Sequence, residues 1–184
     1  MLLLSLAVAG CQEGHGDTAE PPPKEILALG EWRMASLEED PFPSHQPEEI
    51  ICPVSSFRIE SGQLEVEMDL CNYALLEFSS QQFLAAGTEV ELLLLHTGLW
   101  APFPGKAHAC LLVDGEVFFE VEPNIPASAE FFFHETALSS DIKDGATIQL
   151  HIHGSTEQEE GQDTAAPPRH GANDWRIGYF NRKE

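Results

Sequence analysis

The sequence of 184 residues predicts an all-β protein with the architecture of an antiparallel β-sandwich. First, apolar and polar side chains alternate with a period of two in several short stretches, as in strands with one buried face. Second, turn-forming Gly, Pro, Asn and Asp residues separate these stretches about every 8–12 residues. Third, no stretch shows a convincing helical period. The pattern does not distinguish an immunoglobulin-like from a jelly-roll topology.

The first part of the chain contains one clear strand pattern. Residues 26–32 carry apolar side chains that fit either a strand or a helical turn. Residues 38–49 are rich in acidic residues and proline and predict a long acidic loop. Over 63–70, apolar residues alternate with Gln, Glu and Asp, which predicts a half-buried strand. Another apolar run, at 73–78, predicts the next strand.

The second half of the chain predicts four further strands, at 88–96, 130–136, 147–153 and 175–180. The strand at 88–96 is predicted to be central, because Leu93 and Leu95 make its second face apolar as well. A second long acidic loop is predicted at 155–168, where the acidic stretch ends in a pair of prolines.

The clearest local signal is a hairpin within residues 107–121. An Asp-Gly pair stands between two apolar runs, and this pair favours a type I′ turn, in which both central residues have positive φ. A two-residue turn predicts three cross-strand pairs, which are Leu112 with Val117, Cys110 with Phe119, and His108 with Val121. Because this face is apolar, we expect it to point into the core and to carry His108 and Cys110 with it.

The composition is strongly acidic, and this limits the classes of partner. There are 31 Asp and Glu residues against 9 Lys and Arg, which gives a formal net charge of -22. Binding to nucleic acid needs Lys and Arg to displace counterions from the phosphates. Nucleic acid is therefore excluded as a partner, and anionic lipid headgroups are repelled. Cations, basic proteins and neutral glycans are compatible with this charge.

The first eleven residues carry a targeting signal. Residues 1–10 form an apolar run that is too short to span a bilayer and ends in small residues before a cysteine, Val8-Ala9-Gly10-Cys11. This segment resembles the lipobox of bacterial lipoproteins. The resemblance implies cleavage before Cys11 and a diacylglycerol on its thiol, which anchors the protein to a membrane of the cell envelope. In that family, Gln12 after the cysteine implies the outer membrane if the cell is Gram-negative.

The signal divides the chain into three parts. Residues 1–10 are predicted to be a signal peptide. Residues 11–24 contain acidic residues, glycines and three consecutive prolines, and are predicted to be the lipidated cysteine and a flexible tether. Residues 25–184 are predicted to form a single β-sandwich domain, which is an ordinary size for one core.

Lipidation of Cys11 leaves three cysteines in an oxidising compartment, which predicts one disulfide and one free thiol. Cys52–Cys71 is the preferred pair, because both residues lie at strand margins. The loop that it closes contributes about 3 kcal/mol in the chain-entropy estimate. Cys71–Cys110 is the alternative pair. Cys110 lies within a predicted strand, where a free cysteine behaves as a small apolar residue rather than as a nucleophile.

Two histidines on one strand indicate a metal site. His151 and His153 alternate with Ile152 and so share the face opposite the predicted core face. Their Cα atoms are about 6–7 Å apart in a strand, and neutral imidazole is a common ligand of zinc and copper. His170, after the second acidic loop, is the predicted third ligand. Alternative third ligands on neighbouring strands are His96, His134 and Glu130.

Trp100 is the predicted contact for a partner molecule. It lies between Gly98 and Pro102 and outside any strand pattern, which predicts an exposed aromatic side chain at a loop tip. Trp175, by contrast, is in phase with Ile177 and is predicted to be a core residue.

These features support three functional hypotheses. The first is a membrane-anchored envelope lipoprotein, not an enzyme, whose sandwich binds a protein or a glycan. The second is a zinc- or copper-binding envelope protein that uses the His-Ile-His motif. The third is a hydrolase with an unrecognised site. The sequence contains no Gly-Xaa-Ser-Xaa-Gly, phosphate-binding glycine loop, His-Glu-Xaa-Xaa-His or Cys-Xaa-Xaa-Cys motif that would identify such a site.

Overall fold

The structure is a computed structural model that describes residue 26 and residues 32–101, 103–156 and 174–183. Cys11 with its lipobox, the tether and His170 lie outside these ranges, as does most of the second acidic loop. Within the described ranges, no helix is long and apolar enough to cross a membrane.

The strands of the described ranges, numbered in chain order, form two antiparallel sheets. The six-stranded sheet consists of β1 (Arg33–Met34), β4 (Tyr73–Ser79), β6 (Gly105–Val113), β7 (Glu116–Val121), β8 (Asn124–Ile125) and β10 (Thr147–Thr156). The five-stranded sheet consists of β2 (Phe57–Glu60), β3 (Gln63–Glu67), β5 (Glu89–Leu99), β9 (Ala127–Ala137) and β11 (Asp174–Arg182). The strand orders are β1-β4-β10-β6-β7, with β8 against β6, and β2-β3-β11-β5-β9. This architecture is the predicted antiparallel β-sandwich.

The core lies between the two sheets and uses the strand faces that the period-two pattern predicts. Ile148, Leu150 and Ile152 of β10 are buried in one continuous cluster with residues of the five-stranded sheet. Trp175 and Phe180 of β11 are fully buried in the same cluster. Burying one Ile or Leu side chain contributes roughly 1.5–3 kcal/mol to the free energy of folding. Because the apolar side chains of a strand alternate with polar ones, this contribution determines which face of the sheet turns inward.

The hairpin of β6 and β7 departs from the predicted register. Its Asp-Gly turn forms as expected, with positive φ at both central residues, and Leu112 pairs with Val117 as predicted. A β-bulge follows, after which Leu111 pairs with Phe119. The bulge adds one residue to β7, so the apolar residues of β7 do not all share one face.

The predicted pairs Cys110–Phe119 and His108–Val121 are therefore wrong, and so is the predicted core orientation of His108 and Cys110. Cys110 pairs with Glu120 instead. The residues that alternate with His108 and Cys110 on β6 belong to the core cluster. The two side chains thus point to the outer face of the six-stranded sheet, where both are buried. Cys110 is the free thiol.

Residues 35–50, which we call the covering segment, lie against this outer face. The segment contains the 3-10 turn Pro43–His45. Its Ala35 packs with Tyr73 and Leu75 of β4 in a second, smaller apolar cluster. The predicted acidic loop is therefore folded against the sheet, and the face that carries His151 and His153 is covered rather than open to solvent.

The predicted disulfide Cys52–Cys71 fixes the end of the covering segment to the start of β4. The two Cα atoms are 4.1 Å apart. Asn72 supports the same junction, because its side-chain amide donates to the carbonyl of Glu49 at 2.8 Å and its side-chain oxygen accepts from the amide of Ile51 at 2.8 Å. One end of the covering segment is thus held by a covalent bond and by hydrogen bonds.

Candidate metal centre

Four histidines come together between the covering segment and the six-stranded sheet, and we call them the histidine cluster. His151 and His153 lie on β10, and the register of β6 places His108 directly opposite His153. His45, in the 3-10 turn of the covering segment, lies over the same face. The distances between the four ring centroids range from 5.0 to 6.1 Å.

Three members of the cluster can hold one ion. One ring nitrogen from each of His45, His108 and His153 lies within 4.8 Å of the other two. His153 Nε2 and His45 Nδ1 are 3.1 Å apart. Two nitrogens that bind a tetrahedral zinc ion at about 2.1 Å are about 3.4 Å apart. Small side-chain rotations therefore bring the three nitrogens to ligand distance.

His151 lies beside this set rather than in it. Its side chain is fully buried, and its two ring nitrogens have no hydrogen-bond partner among the described residues. The ring stacks on Phe42 with centroids 4.9 Å apart and planes inclined by 14°. Of the predicted ligands, the structure thus brings His153 to the set, places His151 against it, and does not describe His170.

Two members of the cluster, His151 and His153, are held in the neutral form that binds metal ions. Burial, together with charge repulsion from His153 and His108, lowers the pKa of His151 to about 3. Burial, with repulsion from His108 and His45, lowers the pKa of His153 to about 4. At neutral pH both rings are uncharged, so metal binding by His153 needs no proton release.

Glu120 of β7 orients His108. Its Oε1 lies 2.7 Å from His108 Nε2, whereas His108 Nδ1 is buried and has no hydrogen-bond partner among the described residues. If Nε2 carries the proton and donates to the carboxylate, Nδ1 keeps a free lone pair. A carboxylate that accepts from the outer nitrogen of a histidine is the usual second partner of a metal-bound imidazole.

Asp40 places a second carboxylate at the cluster. It is nearly buried and accepts hydrogen bonds from the Tyr73 hydroxyl, from Gln46 Nε2 at 2.8 Å and from the Phe42 amide at 2.9 Å. Burial raises the pKa of Asp40, but these three hydrogen bonds outweigh burial and hold the pKa below its usual value. Asp40 therefore stays ionised close to the neutral imidazoles.

Phe42 and the 3-10 turn determine where His45 lies. Pro43 begins the turn, and the amide of His45 donates to the carbonyl of Phe42 at 2.9 Å. The Phe42 ring stacks on His45, with centroids 5.2 Å apart, and on His151. The covering segment thus packs one aromatic ring against a buried and an exposed member of the cluster, and it leaves His45 exposed.

Two of the three ligand-type histidines, His45 and His108, were not predicted from the sequence. His45 lies in a segment without periodicity, so no sequence pattern gave its distance from β10. His108 was assigned to the core because an uninterrupted register was assumed for the hairpin. Its neighbours on β6 are apolar on both faces. The direction of its side chain therefore becomes clear only from the bulge in β7 or from the covering segment.

The alternative third ligands lie on the five-stranded sheet, away from the histidine cluster. His96 is fully buried in the core, where its ring lies 4.9 Å from that of Trp175 and burial lowers its pKa. Glu130 pairs with His96 across β9 and β5. His134 packs against Phe119, with ring centroids 4.8 Å apart. The structure does not bring any of these three side chains to the candidate centre.

Trp100 lies at a separate site at the end of β5. Its side chain is 62% exposed, and it borders an open groove of about 470 Å3. The other residues that line this groove are Gly98, Leu99, Pro126, Ala127 and Ser128.

Comparisons with known proteins do not identify the chain. No protein-family model matches it, and no curated protein is significantly similar in sequence. Among solved structures, it is similar to a CBM4 carbohydrate-binding module, with a TM-score of 0.40, 10% identity, and coverage of 84% of this chain and 96% of that one. It is also similar to TmCBM61 in complex with beta-1,4-galactotriose, with a TM-score of 0.39, 12% identity, and coverage of 88% and 100%.

A third similar structure is the enzymatically active domain of tailspike protein 4 from bacteriophage CBA120. Its TM-score is 0.31 at 10% identity, and the match covers 66% of this chain but only 15% of the tailspike chain. At these TM-scores the similarities do not identify a ligand or an activity.

Proposed function

We propose that this β-sandwich binds one zinc or copper ion through His45, His108 and His153. The observation that carries the proposal is the convergence of three imidazole nitrogens within 4.8 Å of one another, from two strands and one covering segment. Imidazole is a preferred ligand type for both metals. The formal net charge of -22 also raises the local concentration of cations at the surface.

The surroundings of the three nitrogens support the same proposal. The Glu120 carboxylate fixes the ring of His108, and the low pKa of His153 keeps that ring neutral, with one unprotonated nitrogen. The buried Nδ1 of His108 has no hydrogen-bond partner among the described residues, and burying such an atom costs desolvation free energy. A bound ion supplies the missing partner.

Calorimetric titration of zinc and copper into the full chain tests the proposal. We expect one-to-one binding, and we expect His45→Ala and His153→Ala to lose more than about 100-fold in affinity, since each removes a ligand. His45 is exposed, so His45→Ala should leave the fold intact. His134→Ala is the matched control and should bind like the original chain. Equal binding by His45→Ala and the original chain would contradict the proposal.

A second candidate function is recognition of a neutral glycan or a protein at the Trp100 groove. It is favoured by the exposed indole beside an open groove, since Trp is enriched at the centres of binding sites. We expect Trp100→Ala to lose binding on a glycan or protein array, and Phe83→Ala, which removes another exposed aromatic ring, to retain it. The hydrolase hypothesis stays a prediction to which no residue is assigned.

The lipobox at residues 8–11 supports a proposed location at the bacterial cell envelope, with lipid on Cys11 as the membrane anchor. Gln12 favours the outer membrane in a Gram-negative cell. We expect Cys11→Ser to move the protein from the membrane fraction to the soluble fraction, whereas Cys110→Ser should remain with the membrane. A Cys11→Ser protein that stays in the membrane fraction would contradict the anchor.

A further inference from the structure

The three-histidine site has one side that faces solvent. In the part of the chain that the structure describes, only three ligand-type side chains meet within 4.8 Å, and they differ in exposure: His108 is buried, His153 is half-buried and His45 is exposed. Zinc and copper commonly take four or more ligands. A metal ion held by these three rings therefore keeps a further position, on the side of His45.

His151 does not fill this position. Its ring lies on the buried side, packed against Phe42 and 4.9 Å from the ring of Tyr73. It is fully buried, whereas the further position opens toward solvent beside His45. Moving the His151 ring toward solvent would break its stacking on Phe42.

Charge determines which kind of ligand the open position favours. The two carboxylates at the site, Asp40 and Glu120, balance the charge of a divalent ion held by neutral imidazoles. Asp40 is nearly buried and Glu120 is hydrogen-bonded to His108. An anion would add net negative charge to a centre that is already near neutral, on a chain of net charge -22. A neutral nitrogen donor adds none.

We propose that the open position binds a neutral nitrogen donor of the imidazole class from outside the chain, in preference to an anion. This inference rests on the metal site proposed above. The side chain of a histidine in a partner peptide is a ligand of this class. The metal ion would then bind the histidine of such a peptide at its one open coordination position.

Cobalt(II) bound to the full chain provides the test, because its visible absorption reports ligand number and type. We expect saturable spectral change on addition of imidazole, and a dissociation constant at least about tenfold lower for imidazole than for azide. Glu120→Gln removes one negative charge and should shift this ratio toward azide. His134→Ala should behave like the original chain. Desalting after each titration shows whether cobalt is retained or has been stripped.

The outcomes separate the two proposals. No cobalt spectrum contradicts the metal site itself and removes both. A cobalt spectrum of the original chain that does not change on addition of imidazole contradicts only the open position. Imidazole binding that appears only in His151→Leu or His170→Ala shows that this chain fills the position, and it also overturns the inference. Tighter binding of azide than of imidazole overturns the argument from charge.

Discussion

At the residue scale, the buried imidazoles link protonation to stability. Histidines in an unfolded chain titrate near pH 6.5, whereas His151 and His153 in the folded protein have pKa values of about 3 and about 4. Between about pH 6.5 and pH 4, the unfolded state therefore binds more protons than the folded state. The free energy of unfolding falls as the pH is lowered through this window and is unaffected by these groups above it.

We expect the melting temperature of the metal-free protein to fall steadily between pH 7 and pH 4.5. In His151→Leu the fall should be shallower, because one of the two titrating groups is gone and a leucine fills the buried space. Thermal unfolding followed by circular dichroism at each pH measures both curves. Identical slopes for the two proteins would show that His151 is not held neutral by burial.

Glu120 is a second residue whose role is set by one contact, its 2.7 Å hydrogen bond with His108. Glu120→Gln keeps the shape but removes the charge that favours a metal-bound imidazole. We expect a loss of about 10–100-fold in zinc affinity, with little change in stability, since the Glu120 side chain is 44% exposed. Glu116→Gln, at the start of the same strand, is the control. An unchanged zinc affinity of Glu120→Gln in calorimetry would show that Glu120 does not orient His108 for metal binding.

At the scale of elements, the sequence predicts strands well because burial of one face leaves an alternating pattern. The core face of β10 was predicted correctly for this reason. Its other face was predicted to be polar and outward, because no local pattern records that a distant loop covers it. The bulge in β7 was missed as well, since one inserted residue leaves the composition of the hairpin unchanged. The histidine cluster depends on both features, so only His151 and His153 were identified beforehand.

The covering segment depends on its connection to β4. We expect Cys52→Ser with Cys71→Ser to lower the free energy of unfolding by about 3 kcal/mol, the chain-entropy cost of opening a loop of this length. Zinc affinity should also fall, because His45 then sits on a less restricted segment. Chemical denaturation and calorimetry measure the two effects, with Cys110→Ala as the control. Full zinc affinity in the double variant would show that the disulfide is not needed to position His45.

At the scale of the whole molecule, the candidate centre lies on the side of the six-stranded sheet opposite the core. The core between the sheets is complete without a metal ion, so the metal-free domain is expected to fold. A metal that binds only the folded state then adds stability by mass action, about 2.7 kcal/mol at 100 times the dissociation constant. We therefore expect a domain whose fold does not depend on the ion but is stabilised by it.

The most direct test of the metal centre is an anomalous difference map from crystals grown with zinc and recorded at the zinc absorption edge. We predict a peak about 2.0–2.1 Å from one ring nitrogen of each of His45, His108 and His153. Zinc found only at surface carboxylates, with no peak between the three imidazoles, would contradict a metal centre at His45, His108 and His153.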